Sequence, residues 1–213
     1  MLLYLLVVVL GYCLGSIPTA YLLVKRKKSV DIRIAGSGNV GGMNAFQVTN
    51  SAYLGAAIVI IDSMKGVMAV VLTGMIWGWD FLPMSVSGLS AIVGHNHSVW
   101  IGFRGGRGLA TAAGMMLVLG WIIVAVWWVV WLISYAFSRN LHLSNIFATI
   151  SLPLAACAAP DTLSRLCPWT GESSLNFFLV VLSLSILLFL SHLGPIKSLI
   201  SSHHQSTGTN GHV

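Results

Sequence analysis

The chain has 213 residues, of which 56% are hydrophobic and only 8% are charged, and its mean hydropathy is +0.87. A soluble domain carries about 25% charged residues, so this composition excludes an ordinary soluble enzyme and indicates an integral membrane protein. The net charge of +6 fits basic loops that face the cytoplasm and anionic lipid, and nucleic acid is not expected as a partner.

Seven apolar segments follow one another along the chain and predict seven transmembrane helices. They cover residues 3–23, 52–75, 83–100, 108–119, 121–137, 143–159 and 176–192. The segment 108–119 is short for a span and has to tilt or use a thinned bilayer, and Gly120 marks its junction with the next segment. The tail 201–213 is polar, which predicts disorder, so residues 1–200 are expected to form one membrane domain.

The distribution of basic residues predicts the orientation of these helices. The basic cluster at 25–28 follows the first apolar segment rather than preceding it, which indicates a transmembrane helix with an external N-terminus and not a signal peptide. With seven spans, nine basic residues fall in cytoplasmic loops, and Arg165 alone falls outside. The fold class predicted is therefore an all-α polytopic membrane protein with its N-terminus outside and its C-terminus in the cytoplasm.

The stretch "AGSGNVGGMN" at positions 35–44 has the composition of an anion-binding loop. Its glycines let successive backbone N–H groups converge on one point, and its Ser and Asn side chains add hydrogen-bond donors. A helix beginning near Asn44 would direct its positive end to the same place. A flexible turn or a close contact between helices also fits these glycines, and no Walker A sequence follows.

The second cytoplasmic stretch, "GHNHSVWIGFRGGRGLATAAG" at positions 94–114, repeats this chemistry. Arg104 and Arg107 flank two glycines, and arginine suits phosphate oxygens because its planar guanidinium keeps its charge when desolvated. Anchoring to lipid headgroups is the alternative for these arginines. In "IIDSMKG" at positions 60–66, Asp62 and Lys65 are three residues apart, so they share a helix face and can form either a structural or a ligand-binding ion pair.

Three histidines on the cytoplasmic side, His95, His97 and His192, are candidates for proton transfer or for a structural hydrogen bond. No His, Cys or Asp cluster has zinc spacing, and carboxylates on this side are too few for paired-acid hydrolysis. The pattern therefore predicts oxyanion binding without a metal. Two glycine-and-cation loops could hold two phosphates, one from a donor and one from an acceptor.

The motifs "GSIPTAYLL", "DIR..GSGN.G..N", "D..KG" and "GHN..V..GF.GG.G.AT" occur in this order along the chain. Together they resemble the bacterial acyl-phosphate-dependent glycerol-3-phosphate acyltransferases, the PlsY family, closely over about residues 10–114 and in outline beyond. The resemblance implies a seven-helix enzyme of the bacterial inner membrane with a cytoplasmic active site. It implies acyl transfer from acyl phosphate to the 1-hydroxyl of glycerol 3-phosphate, giving lysophosphatidate and phosphate, with no metal or organic cofactor.

The resemblance also implies a set of site residues. The expected catalytic residues are Ser37, His95 and His192, although a substrate phosphate could instead accept the hydroxyl proton. The expected substrate-binding residues are Gly36, Gly38, Asn39, Asn44, Lys65, Asn96, Gly105, Gly106 and Arg107. The expected partners are the two substrates and membrane lipids, and the oligomeric state is left open.

Several positions depart from the family pattern. Met43 stands in place of Thr, Gln47 in place of a phosphate-binding Arg, Arg107 in place of Lys, and Pro195 in place of Asn. Each lost charged hydrogen bond costs about 1.5–3 kcal/mol. These changes favour two alternatives, a divergent paralogue with an altered acceptor and a non-catalytic phosphate- or lipid-binding membrane protein. A small transporter fits less well, because the cations lie at one face rather than at mid-membrane.

Overall fold

The structure, a computed structural model, describes residues 1–167 and 173–208, with side chains described as far as Gly194. Every regular element in these two ranges is a helix, which confirms the predicted all-α class. In chain order the helices are α1 (Leu2–Ser16), α2 (Thr19–Lys28), α3 (Gly42–Thr49), α4 (Ala52–Trp77), α5 (Phe81–Asn96), α6 (Leu109–Leu119), α7 (Trp121–Ser138), α8 (Leu141–Ala158), α9 (Pro160–Arg165) and α10 (Ser174–Gly208). A short 3-10 turn at Val99–Ile101 follows α5.

All seven predicted membrane segments are helical, but they differ in length. Among the described residues, five segments are long and apolar enough to cross a membrane: Leu2–Lys28, Ala52–Trp77, Trp121–Ser138, Leu141–Ala158 and Ser174–Gly194. The other two predicted spans are α5, with 16 residues, and α6, with 11 residues. Since a helix needs about 20 residues to cross a bilayer, length alone supports five spans rather than seven.

The first predicted helix is broken at Ile17 and Pro18, between α1 and α2. Proline has no N–H group and disfavours the helical conformation in the residue before it, and Ile17 accordingly has a ψ of 115°. The break leaves the carbonyl oxygens of Ser16 and Ile17 without helical partners. They accept hydrogen bonds from the Ser98 hydroxyl and the Lys65 ammonium group, so "GSIPTAYLL" supplies two backbone acceptors to residues of the later motifs.

Glycines allow the central helices to pack closely. Gly15 of α1 lies against the backbone of Ala91 in α5, and Gly66 of α4 lies against the backbone of Thr111 in α6. A Cβ atom at either glycine would overlap a carbonyl oxygen of the neighbouring helix. Small residues at crossings are typical of helices in lipid, where close contact replaces the hydrophobic effect as the force for association. These crossings fix the positions of α4, α5 and α6, whose ends carry the polar motifs.

The buried apolar side chains form two clusters. The larger joins α4–α8 and α10, and its fully buried members include Met84, Met115, Leu119, Leu152 and Leu184. The smaller joins α2, α3, α4 and the loop 29–41 through residues such as Val24, Ile32, Val40, Ala45 and Ile58. The smaller cluster attaches the polar loop to the helix ends. The predicted helix after that loop is confirmed, because α3 begins two residues before Asn44.

The chain after α8 differs from the simple predicted loop. Pro160 begins the short helix α9, and its lack of an N–H group costs nothing there because the first N–H groups of a helix have no partner within the helix. The negative charge of Asp161 in the first turn interacts favourably with the positive end of the helix dipole. The last helix continues beyond the predicted 176–192 as far as Gly208. Residues 201–208 of the tail predicted to be disordered thus belong to this helix. The side chain of Pro195 and residues 209–213 lie outside the described part, so the expectations for them remain predictions.

Candidate active site

The polar regions predicted to face the cytoplasm meet at one end of the helices. The backbone N–H of Val40 in the first loop donates to the carbonyl oxygen of Gly105 in the second loop at 3.2 Å. The hydroxyl of Ser191 in α10 donates to the carbonyl oxygen of Arg107 at 2.9 Å. The two glycine-rich loops and the middle of α10 around Ser191 are therefore in direct contact, which is the arrangement that a shared site requires.

The "DIR" motif attaches the first loop to its surroundings. Nη2 of Arg33 lies 2.6 Å from Oδ2 of Asp31, and Nη1 of Arg33 donates to the carbonyl oxygen of Ile101 at 3.1 Å. The guanidinium also lies over the Tyr21 ring, 5.1 Å from its centroid. Hydrogen bonds from Arg33 lower the pKa of Asp31 to about 2. Arg33 is thus a structural cation that joins the loops.

Asn44 is the side chain that shapes the glycine-rich loop. It is 1% exposed, and its Nδ2 atom donates to the carbonyl oxygens of Ile32, Ala35 and Asn39 at 3.3, 3.0 and 2.9 Å. Its Oδ1 atom accepts from the backbone N–H of Ser37 at 2.9 Å. The amide is fully occupied by the loop backbone, so Asn44 acts on any ligand through the loop that it holds in place.

Gly36 and Gly38 form the tip of this loop. Their φ values of +58° and +71° lie in the left-handed region, which residues with a Cβ atom rarely adopt. A side chain at Gly36 would also meet Oδ1 of Asn44. Ser37 lies between the two glycines and is exposed. The predicted catalytic serine therefore lies at the tip of the loop. Of the predicted site residues in this loop, Asn39 lines the cavity described below.

The predicted ion pair on α4 forms and involves a third residue. Nζ of Lys65 lies 2.7 Å from Oδ1 of Asp62, and Nδ1 of His95 on α5 lies 3.7 Å from the same oxygen. Lys65 also donates to the carbonyl oxygen of Ile17 at the helix break. Lys65 is 5% exposed and Asp62 3% exposed. Lys65 thus pairs with the Asp62 carboxylate and ties α4 to the first helix pair through the Ile17 carbonyl oxygen, while His95 has the same carboxylate beside its Nδ1 atom.

The glycines of "RGGRG" make room for His95. A Cβ atom at Gly105 would overlap the carbonyl oxygen of His95, and one at Gly106 would overlap its Nε2 atom. The backbone N–H of Gly106 donates to the carbonyl oxygen of His95 at 3.1 Å. Asn96 is buried beside Gly108, and its Oδ1 atom has no hydrogen-bond partner among the described residues. Close packing over His95, rather than phosphate binding alone, explains why glycines stand between the arginines.

Arg107 pairs with a residue that the sequence did not identify. Its Nη1 atom lies 3.3 Å from Nδ1 of His142 at the start of α8. Asn140 caps this helix by accepting from the backbone N–H of His142 at 2.9 Å, which fixes the position of the imidazole. Arginine can only donate, so Nδ1 of His142 accepts and the ring proton lies on Nε2. Burial lowers the pKa of Arg107, which nevertheless stays charged.

His192 is buried at the same end of the bundle. It is 2% exposed, its Nδ1 atom lies 2.7 Å from the carbonyl oxygen of Leu188, and its Nε2 atom lies 3.5 Å from Nδ2 of Asn145. A carbonyl oxygen can only accept, so Nδ1 of His192 donates and Nε2 of the neutral ring is the acceptor. The predicted catalytic residue thus contacts Asn145, which in turn lines the cavity.

A cavity of about 470 Å³ joins these groups to the apolar interior. Its polar end is lined by Asn39, Asp62, His95, Arg107, His142 and Asn145. Its apolar part is lined by Met116, Ile123, Trp127, Trp131, Leu152 and Leu184, among others. Ligand sites commonly combine an apolar lining with a few placed polar groups. This cavity fits a molecule with an anionic head and a hydrocarbon tail.

Three of the predicted site residues line the cavity directly: Asn39, His95 and Arg107. Asn44 and Lys65 support the surrounding backbone, and Gly105 and Gly106 pack over His95. Sequence reasoning did not select His142 or Asn145 as site residues. The sequence offered only a weak signal for them. His142 and Asn145 are two polar residues three positions apart near the start of an apolar helix, shortly after Arg139.

The helical bundle, its close glycine crossings and its amphiphile-shaped cavity define an integral membrane protein with the site of a lipid-modifying enzyme. The family model described as glycerol-3-phosphate acyltransferase matches residues 5–202. The chain belongs to this family of membrane acyltransferases, and the resemblance drawn from its motifs is confirmed.

Curated relatives match over almost the whole chain. The glycerol-3-phosphate acyltransferase of Mesorhizobium japonicum is 32% identical over 208 residues and covers 97% of each chain. That of Bradyrhizobium diazoefficiens is 34% identical over 200 residues, or 94% of this chain and 93% of the relative. A crystal structure of PlsY, an integral membrane glycerol 3-phosphate acyltransferase in its glycerol 3-phosphate form, superposes with a TM-score of 0.77 at 28% identity, covering 93% of this chain and 92% of that chain. Its lysophosphatidic acid form gives 0.75 at 27% identity, with the same coverage.

Proposed function

We propose that the protein transfers a fatty acyl group from acyl phosphate to the 1-hydroxyl of glycerol 3-phosphate, giving lysophosphatidate and phosphate. The observation that carries this proposal is a cavity that has both polar and apolar walls. Arg107, His142 and His95 line its polar end, and apolar side chains line the rest of it. An acyl phosphate has the same division between an anionic head and a hydrocarbon tail. The family membership and the two ligand forms of the PlsY structure support the acceptor and the product.

In the proposed step, the acceptor hydroxyl oxygen attacks the carbonyl carbon of the acyl phosphate. A new carbon–oxygen ester bond forms, the bond from that carbon to the phosphate oxygen breaks, and phosphate leaves with the electron pair. An acyl phosphate already carries a good leaving group, so alignment of two anions and neutralisation of charge account for most of the catalysis. Arg107 and the Nε2–H group of His142 supply donors for phosphate oxygens at the polar end.

His95 is the side chain placed to accept the hydroxyl proton. It lines the cavity, and the Asp62 carboxylate beside its Nδ1 atom stabilises the charge that forms on the ring. His142, the other histidine among the lining residues, has Nδ1 engaged by Arg107 and presents an N–H group rather than a lone pair. The glycine loop, with Ser37 at its tip and Asn39 in the cavity wall, provides the second phosphate-binding position in this scheme.

The proposed topology has seven spans, an external N-terminus and an active site on the cytoplasmic face of the bacterial inner membrane. In this topology the loop 29–41 and the loop 97–108 lie at the cytoplasmic end, and the junction at Gly120 lies at the external end. Val40 contacts Gly105 at one end, whereas Gly120 lies against Cys167 at the other. The excess of basic residues at the first end supports its cytoplasmic location.

The topology is tested by single cysteines in a cysteine-free background. Arg104→Cys should be labelled by a membrane-impermeant thiol reagent only after the cells are opened, and Asp80→Cys should be labelled in intact cells. Labelling of both positions from the same side would rule out the proposed topology.

The function is tested with purified protein, acyl phosphate and glycerol 3-phosphate. Phosphate and lysophosphatidate should appear in equal amounts, and acyl-CoA in place of acyl phosphate should give no product. Acyl transfer from acyl-CoA at a comparable rate would reject the proposed donor. Absence of lysophosphatidate at every substrate concentration would reject the acceptor or the activity.

One observation favours an altered acceptor as the second candidate. Gln47, at the position of an expected cation, is exposed on α3 and carries no charge. An acceptor with less negative charge than a phosphate monoester would need fewer cations. Glycerol or other polyols, supplied in place of glycerol 3-phosphate, should be acylated faster if this candidate is right.

A further inference from the structure

Three side chains from three helices form a hydrogen-bonded line beside the cavity. Trp131 of α7 donates its Nε1–H group to Oδ1 of Asn145 on α8 at 2.7 Å. Nδ2 of Asn145 lies 3.5 Å from Nε2 of His192 on α10, whose Nδ1 atom lies 2.7 Å from the carbonyl oxygen of Leu188. Trp131 and Asn145 line the cavity, whereas His192 is buried against Asn145.

The two ends of this line fix the direction of the Asn145 amide. An indole N–H group can only donate, so the amide oxygen faces Trp131 and the amide nitrogen faces His192. The Leu188 carbonyl can only accept, so the neutral His192 ring presents an unprotonated Nε2 atom to that nitrogen. Both ends therefore require the same orientation, and turning the amide round would break both of its hydrogen bonds.

The orientation leaves one donor of Asn145 for a ligand. An amide nitrogen carries two hydrogens, and the contact with His192 uses one of them. Asn145 lies one turn after His142 on α8, so both side chains share a helix face, and Arg107 reaches His142 at 3.3 Å. An amide N–H, an imidazole N–H and a guanidinium are thus brought to one end of the cavity, a donor set that suits phosphate oxygens.

The indole that sets this orientation is itself held rigidly. The Trp131 ring stacks on Tyr135 with centroids 5.1 Å apart and an interplanar angle of 6°, and on Trp127 at 6.3 Å and 19°. Stacked aromatic rings have few alternative rotamers, so the N–H direction is defined before any ligand binds.

We propose that Asn145 is a binding residue for the phosphate group of a substrate, and that Trp131 and His192 are positioning residues that turn its N–H groups toward the cavity. The proposal rests on the proposed acyl transfer. It gives His192 a role different from the proton acceptor expected from the sequence, because its Nε2 lone pair already faces the amide of Asn145.

The first test compares His192→Gln with His192→Leu. The glutamine oxygen can accept from Asn145, so His192→Gln should keep kcat and the KM for acyl phosphate within about threefold of the wild type. His192→Leu removes the acceptor, and its KM should rise about three- to tenfold with a smaller change in kcat. A fall in kcat of about 100-fold or more in both variants would identify His192 as a catalytic base and overturn the proposal.

The second test removes the indole donor. Trp131→Phe lets the amide turn its oxygen toward the ligand, and the KM for acyl phosphate should rise about three- to tenfold. Trp127→Phe is the matched control for wall packing, because phenylalanine keeps an aromatic ring beside Trp131 and the indole donor that is lost goes to Thr149, at 3.4 Å, and not to Asn145. Equal KM increases in the two variants would show an effect of wall packing rather than of the Asn145 orientation.

A double-mutant cycle separates this role from general destabilisation. In an Asn145→Leu background, Trp131→Phe should produce no further change in KM, since the amide that it orients is gone. A rise in KM in the Asn145→Leu background as large as the rise that Trp131→Phe causes in the wild type would contradict the proposal. Folding of each variant is checked by its thermal unfolding midpoint.

Failure of this inference can be told apart from failure of the proposed function. A wild-type protein that forms no lysophosphatidate fails the proposed function, whatever the variants do. If the wild-type protein forms lysophosphatidate but Trp131→Phe and Trp127→Phe have the same KM, the inference about Asn145 fails and the proposed function stands. Binding of inorganic phosphate, followed by isothermal calorimetry, provides a readout that does not depend on turnover and should weaken about three- to tenfold in Asn145→Leu.

Discussion

The two polar regions of the site are built in opposite ways. Around the loop 29–41, polar groups bond mainly to one another, and the Asn44 side chain makes four hydrogen bonds to loop backbone. Around Arg107, the side chains of His142 and Asn145 also form contacts with their neighbours but still line the cavity. The first region is mainly a support that adds Asn39 to the cavity wall, and the second presents its donors to the space that a ligand would occupy.

This difference shows that a recognisable motif need not consist of ligand-binding side chains. Gly36 and Gly38 are required by positive φ values, and Asn44 is required by four backbone partners. Such geometric requirements are as restrictive as chemical ones, because few other residues can meet them. The residues easiest to identify from the sequence therefore lie largely outside the cavity lining.

The largest effect is expected at His95, where the two regions meet. His95→Gln removes the proposed proton acceptor but keeps an amide of similar length next to Gly106. General base catalysis contributes about 10²- to 10⁴-fold, so kcat for phosphate release should fall by that factor. His97→Gln, at an exposed position two residues later, is the control and should retain the wild-type rate. An unchanged kcat in His95→Gln would assign the proton to a substrate phosphate.

The next largest effect is expected on stability, at the centre of the supporting region. Asn44→Ala leaves three carbonyl oxygens and one N–H group of the loop without their partner. An unsatisfied buried group costs about 1–3 kcal/mol, and partial access to water limits the total to about 3 kcal/mol. Thermal or denaturant unfolding in detergent measures this loss. Gln47→Ala, on the exposed side of the same helix, should change stability by less than about 0.5 kcal/mol.

An equal loss of stability in Asn44→Ala and Gln47→Ala would mean that the loop does not depend on the Asn44 amide. Loss of activity without loss of stability in Asn44→Ala would instead place Asn44 in contact with substrate.

The ligand-binding region is tested by comparing two nearby arginines. Arg107 lines the cavity, whereas Arg104 is exposed and lies outside its lining. A charge-assisted hydrogen bond contributes about 1.5–3 kcal/mol, so Arg107→Ala should raise the KM for acyl phosphate about 10- to 100-fold. Arg104→Ala should change it by less than about twofold, since exposed charges contribute little. Equal effects would indicate general electrostatic attraction rather than a bound phosphate.

The fold could be predicted largely from local patterns. Apolar runs located seven helical segments, five of which are long and apolar enough to cross a membrane, and Gly120 marked the boundary between α6 and α7 as predicted. The break at Pro18 and the short helix α9 were missed, because a single apolar run conceals a break and a short polar helix has no apolar periodicity. The number of spans does not follow from apolar length alone, since α5 and α6 are shorter than a full crossing.

The site was predictable only where its contacts are local. The Asp62–Lys65 pair follows from a spacing of three residues on one helix, and it forms. The contact between Arg107 and His142 joins residues 35 positions apart. Such contacts depend on how separate helices pack, and sequence spacing carries no information about that. For this reason the supporting region was identified from its motif, and part of the ligand-binding region was not.

The smallest effect is expected at Gln47, where the family pattern has a cation. Gln47 is exposed on α3 and lies outside the cavity lining. An exposed charge contributes about 0.2–1 kcal/mol, so Gln47→Arg should raise kcat/KM for glycerol 3-phosphate by less than about fivefold. Gln47→Met, of similar length and without charge, controls for the change in side-chain shape. A gain of more than about tenfold in Gln47→Arg alone would exceed what an exposed charge contributes. It would mean that α3 contacts the acceptor directly, as a further part of the second phosphate-binding position.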